Sequence, residues 1–204
     1  MDKMDHIEED ADIFERAVRC LLAGQAGEAA EVLSTLAKDD PVKRPRFESS
    51  NSPPGLERAK RENLNNAIRA RVYRRDGWRC RYCRRKLVVP GILELITTLC
   101  PGFNGLRPGH HMPYASTELA VERVYPNVDH VHAVAKGGPW LDEANHVTAC
   151  TPCNASKNDR SGWVPGEIVQ DGWDGLTSLY RALAERVVDG RQSYHVKWFR
   201  DIEI

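Results

Sequence analysis

The stretch Val128-Asp129-His130-Val131-His132-Ala133-Val134-Ala135-Lys136-Gly137-Gly138 decides the fold, together with Asp142-Glu143-Ala144-Asn145 and Cys150-Thr151-Pro152-Cys153-Asn154-Ala155-Ser156-Lys157 that follow it. Its last part holds a C-x-x-C pair, Cys150 and Cys153, and 66 residues separate this pair from an earlier one, Cys80 and Cys83. One C-x-x-C turn brings two thiolates within reach of a single ion, and two such turns complete the four-coordinate shell that structural zinc prefers. The surroundings suit the role. Trp78-Arg79-Cys80-Arg81-Tyr82-Cys83 is basic, which favours thiolates, and Thr151-Pro152 makes a tight turn ready to start a helix. Four cysteine ligands leave no position open for water, so the ion expected on Cys80, Cys83, Cys150 and Cys153 is a structural Zn²⁺. A redox dithiol pair is the alternative, and it lacks the thioredoxin-like βαβ context. Cys20 and Cys100 are left as ordinary buried or free thiols.

Asp129-His130, Gly137-Gly138, Asn145 and the run Cys150-x-x-Cys153-Asn154-x-x-Lys157 resemble the HNH endonuclease family (His-Me finger, ββα-metal nucleases) in its zinc-knuckle form. The resemblance spans roughly residues 71–160, and Tyr73-Arg74-Arg75-Asp76-Gly77-Trp78-Arg79-Cys80 is similar to the family's lead-in. It implies an α+β fold built on a small ββα core: Asp-His on a first strand, a Gly-Gly turn, an Asn leading the second strand, and a helix opening at the second cysteine pair. It implies a metal-dependent nuclease acting on DNA, with RNA left open. HNH modules often serve as the cutting subunit of phage-defence or restriction systems, a setting this resemblance allows. The third letter of HNH is Asn154 here, and the excursion over residues 87–127 is longer than a minimal core needs.

The chemistry fits the residues independently. Phosphodiester hydrolysis needs a deprotonated water and stabilised charge on the leaving oxygen. An unperturbed histidine titrates near ~6.5, so His130 is the expected general base. Asp129, its strand neighbour, faces the other way. A catalytic Mg²⁺ or Mn²⁺ wants hard oxygen ligands and keeps several waters; Asp129 and Asn154 are its expected ligands. The resemblance gives Asn145 the task of tying the ββ loop and positioning the histidine. Lys157 lies one turn after Asn154 and is expected to touch phosphate. His132 shares a strand face with His130 by the period of two, and His110-His111 lacks a third ligand.

Upstream, residues 57–86 hold twelve Lys/Arg against three Asp/Glu, whereas residues 1–40 hold eleven Asp/Glu against four Lys/Arg. The overall charge of zero hides this separation. Lysine and arginine supply most non-specific nucleic-acid affinity, so Arg71, Arg74, Arg75 and Lys157 are the expected phosphate contacts. No groove-reading element is recognisable.

Apolar residues at helical spacing (Ile13, Phe14, Ala17, Val18, Leu21 and Leu22, then Ala29, Ala30, Val32, Leu33 and Leu36) predict an acidic helical hairpin over residues 1–38, a docking or regulatory unit for a protein partner. Residues 39–56 have linker composition. The nuclease domain is expected over 57–165, opening with a basic helix at 57–75. The excursion 87–127 reads as a breaker-rich loop with at most a short helix around Leu93–Leu99. Residues 166–204 read as a C-terminal extension packed on that domain, with a helix over 175–188 capped by Asp174; Tyr194–Phe199 fit either a strand or a short helix. Apolar residues at 41 % suffice for one buried core. No run of 18 apolar residues exists and no secretory signal opens the chain, so a soluble cytoplasmic protein is expected. The competing reading is a catalytically silent, zinc-stabilised nucleic-acid-binding or adaptor protein.

Overall fold

In chain order the helices are α1 (Asp5–Leu22), α2 (Ala26–Ser34), α3 (Asn66–Arg75), α4 (Pro90–Leu99), α5 (Leu119–Val124), α6 (Thr151–Lys157) and α7 (Thr177–Ala184). The strands are β1 (Pro126–His130) and β2 (His146–Cys150). This computed structural model describes residues 5–36, 64–100, 103, 119–187, 195 and 200–202. The result is an α+β arrangement of mixed helices around one two-stranded antiparallel sheet, with a four-cysteine cluster beside it. Pro126 stands opposite Cys150, and His130 opposite His146. Two short 3₁₀ turns, Val134–Lys136 and Glu143–Asn145, shape the connection between the strands.

Among the described residues the larger of two buried apolar clusters runs through α1, α2, α4, α5 and α7. Phe14, Ala17, Val18 and Leu21 of α1 meet Ile92, Leu93, Leu95 and Ile96 of α4 and Tyr180 and Leu183 of α7 in that cluster. The spacing in α1 explains its part: residues three and four apart form one apolar stripe. Two ion pairs reinforce the docking. Asp10, which is buried, accepts from the Arg123 guanidinium at 2.6 and 3.1 Å, and Lys86 donates to Asp12 at 2.9 Å. The acidic charge of the N-terminus is therefore partly spent on fixed internal partners. The expected boundaries at residues 38 and 166 do not divide this core. Buried residues of α1, α2 and α7 belong to the same interior as those of the central region. The proposed linker, 39–56, lies outside the described residues.

The excursion 87–127 is also corrected in part. Pro90 and Gly91 read as breakers in sequence, yet Pro90 opens α4, where its missing N–H costs nothing. Leu87, Val88, Val89, Ile92, Leu93 and Ile96 are wholly buried. Gly91 is required by packing: a Cβ there would meet the Tyr180 hydroxyl at 1.9 Å. Residues 104–118, with His110-His111, lie outside the described residues.

Asp76 joins the parts that position the site. Fully buried at the end of α3, its carboxylate accepts from Arg75 at 2.9 Å, from Arg81 at 3.0 Å and from the backbone N–H of Thr148 at 2.7 Å. One carboxylate thus ties α3, the first cysteine loop and β2. At the other end of α3, Asn65 caps by accepting from the Ile68 N–H at 2.9 Å; residues 57–63 of the expected helix lie outside the described residues. Helix α7 starts two residues later than expected, at Thr177, but the Asp174 carboxylate still accepts from the N–H groups of Leu176 and Ser178 at 2.8 and 2.9 Å. Of the segment Tyr194–Phe199, only His195 is described, in a helical turn. Among the described residues no helix is long and apolar enough to cross a membrane.

Candidate metal centre and active site

The four cysteine sulfurs of Cys80, Cys83, Cys150 and Cys153 all lie within 4.8 Å of one another. Cys83 Sγ and Cys150 Sγ are 3.8 Å apart. A tetrahedral zinc with bonds of about 2.3 Å sets sulfur–sulfur edges near ~3.8 Å, so the spacing fits one ion. The first pair sits on a tight loop closed by the Cys80 N–H on the Arg85 carbonyl at 3.0 Å and the Arg84 N–H on the Cys80 carbonyl at 2.8 Å, with Arg84 in the left-handed region at φ 65°. The second pair opens α6, where Cys150 Sγ accepts from the Cys153 N–H at 3.4 Å. Hydrogen bonds from Cys150 and Cys153 draw the Cys80 and Cys83 thiols below the ordinary range. The Cys150 thiol is pushed up by the same mutual bonding, first to Cys153. Four thiols this close do not all ionise on their own; a bound cation is what lets them. The cluster can therefore hold a metal such as zinc.

On β1, His130 is half-buried and its Nε2 lies 3.0 Å from the Trp140 carbonyl oxygen. A carbonyl only accepts, so that nitrogen carries the proton, and the neutral ring presents Nδ1 as a bare lone pair. The Trp140 indole stacks on the ring at 4.6 Å and 19°. Burial holds the His130 pKa below its ordinary value, against the opposing pull of the Trp140 hydrogen bond.

Asp129 is buried. Its Oδ2 accepts from the Tyr82 hydroxyl at 2.6 Å and its Oδ1 from Lys157 Nζ at 3.2 Å. A carboxylate offers about four acceptor positions, so two bonds leave capacity for a further ligand. Asn154 follows Cys153 on α6 and is half-buried. The carboxylate and amide oxygens are the hard donors that Mg²⁺ or Mn²⁺ takes, and in donor type this pair fits such an ion.

Asn145 is buried at the entrance to β2. Its Oδ1 accepts from the His132 N–H at 2.8 Å, and its Nδ2 donates to the carbonyls of His132 and Pro139 at 3.0 and 2.9 Å. The amide thereby fixes the loop that presents Trp140 to His130. His132 itself lies past the end of β1 and is exposed, so it shares no strand face with His130.

The expected phosphate contacts are placed differently. Lys157 is completely buried, and its ammonium donates to Asp129 and, at 2.7 Å, to the His130 carbonyl. It faces the interior, so a phosphate contact from solvent is closed to it. Arg71 pairs with Glu143, Arg74 donates to the Ile202 carbonyl, and Arg75 donates to Asp76 and to the carbonyls of Glu143 and His146. Arg79 and Arg81 likewise serve Asp171, Asp76 and Gly166. The basic stretch is largely an internal scaffold, although Arg71, Arg74 and Arg75 keep exposed surface.

Three residues of the site escaped sequence reading. Tyr82 stood in the sequence only as an aromatic within the basic Trp78–Cys83 run; Trp140 lay in a loop; His146 is brought to the site by its register opposite His130. His146 is fully buried, its Nε2 lies 2.8 Å from the same Trp140 carbonyl, and its ring meets that of His130 edge-on at 4.8 Å. Compared with known proteins, the chain matches no family model, no curated protein and no solved structure.

Proposed function

We propose that this chain is an HNH-type endonuclease that hydrolyses phosphodiester bonds in DNA with a divalent metal ion. The observation that carries the reading is the His130 tautomer. With Nε2–H committed to the Trp140 carbonyl, Nδ1 is the nitrogen left free to act as a base. His130 takes the proton of the attacking water at Nδ1, and the stacked indole keeps the ring from turning. Asn145 holds residues 132 and 139, and so holds the carbonyl on which the base rests. Asp129 and Asn154 would hold Mg²⁺ or Mn²⁺, which when bound stabilises charge developing on the phosphate and leaving oxygen. Zinc on Cys80, Cys83, Cys150 and Cys153 is structural, since the shell is complete.

A second reading, a silent nucleic-acid-binding or adaptor protein, draws support from Lys157: an ammonium already neutralises Asp129. Parallel binding and cleavage assays on one DNA separate the two. Cleavage in Mg²⁺ or Mn²⁺ that EDTA abolishes supports the nuclease. Retained binding with no cleavage in either metal supports the silent protein.

A further inference from the structure

The loop that carries Cys80 and Cys83 also sends Tyr82 across to strand β1. The Tyr82 hydroxyl donates to Asp129 Oδ2 at 2.6 Å, and its ring is held edge-on by Trp163 at 5.4 Å and 85°. The loop is in turn fixed to β2 by the Arg81 N–H on the Thr148 carbonyl at 2.8 Å and by the Arg81–Asp76 pair. Lys157, from the helix that opens at the second cysteine pair, lies against both oxygens of Asp129, 3.2 Å from Oδ1 and 3.1 Å from Oδ2. The two donors to Asp129 thus come from the two halves of the cysteine cluster.

This arrangement does more than satisfy a half-buried phenol. A carboxylate held on both oxygens has a fixed plane, and its remaining lone pairs point in fixed directions. Partners that orient a metal-binding carboxylate control its affinity for the ion. We propose that Tyr82 is a positioning residue: its hydroxyl orients the Asp129 carboxylate, so that the cysteine cluster sets the geometry of a divalent-cation site. The proposal rests on the nuclease reading in taking Asp129 as a ligand to that cation.

The test is Mn²⁺ titration of the zinc-loaded full chain by calorimetry, comparing wild type with Tyr82→Phe. Zinc content and melting temperature are measured alongside. The phenylalanine keeps the ring and its contact with Trp163. Tyr82→Phe is expected to keep its zinc and melt close to wild type while binding Mn²⁺ about 10- to 100-fold more weakly. Unchanged Mn²⁺ affinity in a zinc-loaded Tyr82→Phe overturns the positioning role and leaves the nuclease reading standing. A wild type that binds no Mn²⁺ overturns both. Should Tyr82→Phe lose zinc, the same titration is made on Trp163→Leu, which keeps the hydroxyl but removes the ring's edge partner. Weaker Mn²⁺ binding there supports the proposal, and unchanged binding overturns it.

Discussion

His130 and His146 face each other across the two strands, and both rings donate through Nε2 to a single acceptor, the Trp140 carbonyl oxygen. That oxygen has two lone pairs and serves both. One loop carbonyl therefore fixes the tautomer of two histidines. Among the described residues the buried Nδ1 of His146 has no hydrogen-bond partner, whereas the His130 ring is only half-buried.

The pH dependence follows from burial. Burial lowers the His130 pKa from its ordinary value of 6.5, so the ring is neutral at physiological pH. The acid limb of kcat/KM is expected to have its midpoint below pH 6.5; a midpoint above it contradicts the assignment. The stability effect has the matching sign. With the folded pKa below the unfolded one, the contribution of His130 is present above about pH 6.5 and lost as pH falls through the folded value. Melting curves from pH 8 to pH 5 on wild type and His130→Gln should show the smaller pH dependence in the variant.

Metal content tests the cysteine cluster. The protein purified without chelator is expected to carry one zinc per chain. Stripping it with a strong chelator should expose four further thiols to a reactive disulfide and lower the melting temperature, because metal binding and folding share one free energy. Two disulfides and no metal would contradict this account.

The N-terminal helix is held by a pair in which Asp10 is nearly fully buried and Arg123 mostly so. Breaking a buried pair at one end costs about 3 kcal/mol or more. Asp10→Ala should lower the melting temperature by roughly 6–12 °C for a chain of this size. Deleting residues 1–36 should produce an aggregating protein with an exposed core. A folded, soluble deletion variant would contradict this account.

Helices α4 and α7 meet where Gly91 leaves room for Tyr180, whose hydroxyl bonds to His195 Nδ1 at 2.7 Å. Gly91→Ala forces these helices apart and should cost about 1–3 kcal/mol by overpacking, visible in chemical denaturation. A variant as stable as wild type would show that the two helices separate freely.

What sequence could and could not show divides along physical lines. The cysteine set was legible because two C-x-x-C spacings specify local turns, and the α+β class came from the family resemblance that the residues around them carry. The start of helix α4 was hidden because Pro90 and Gly91 count as breakers by composition; only the three-dimensional neighbours, the helix start and the Tyr180 ring, give them a purpose. The internal partners of the basic stretch were hidden for a similar reason. Charge counted along a chain does not reveal that Arg71, Arg74, Arg75 and Arg79 answer to Glu143, Ile202, His146 and Asp171, each far away in sequence. Lys157 shares a helix with Asn154, but spacing alone did not say that its ammonium lies buried against Asp129.

The most direct test of the central claim is the rate of nicking of supercoiled plasmid by wild type and His130→Ala in Mg²⁺ and in Mn²⁺, with zinc content verified in both. The account predicts nicking that needs the divalent ion and that falls by about 10²- to 10⁴-fold in the variant, the range for loss of a general base. Equal rates in the two proteins would contradict it.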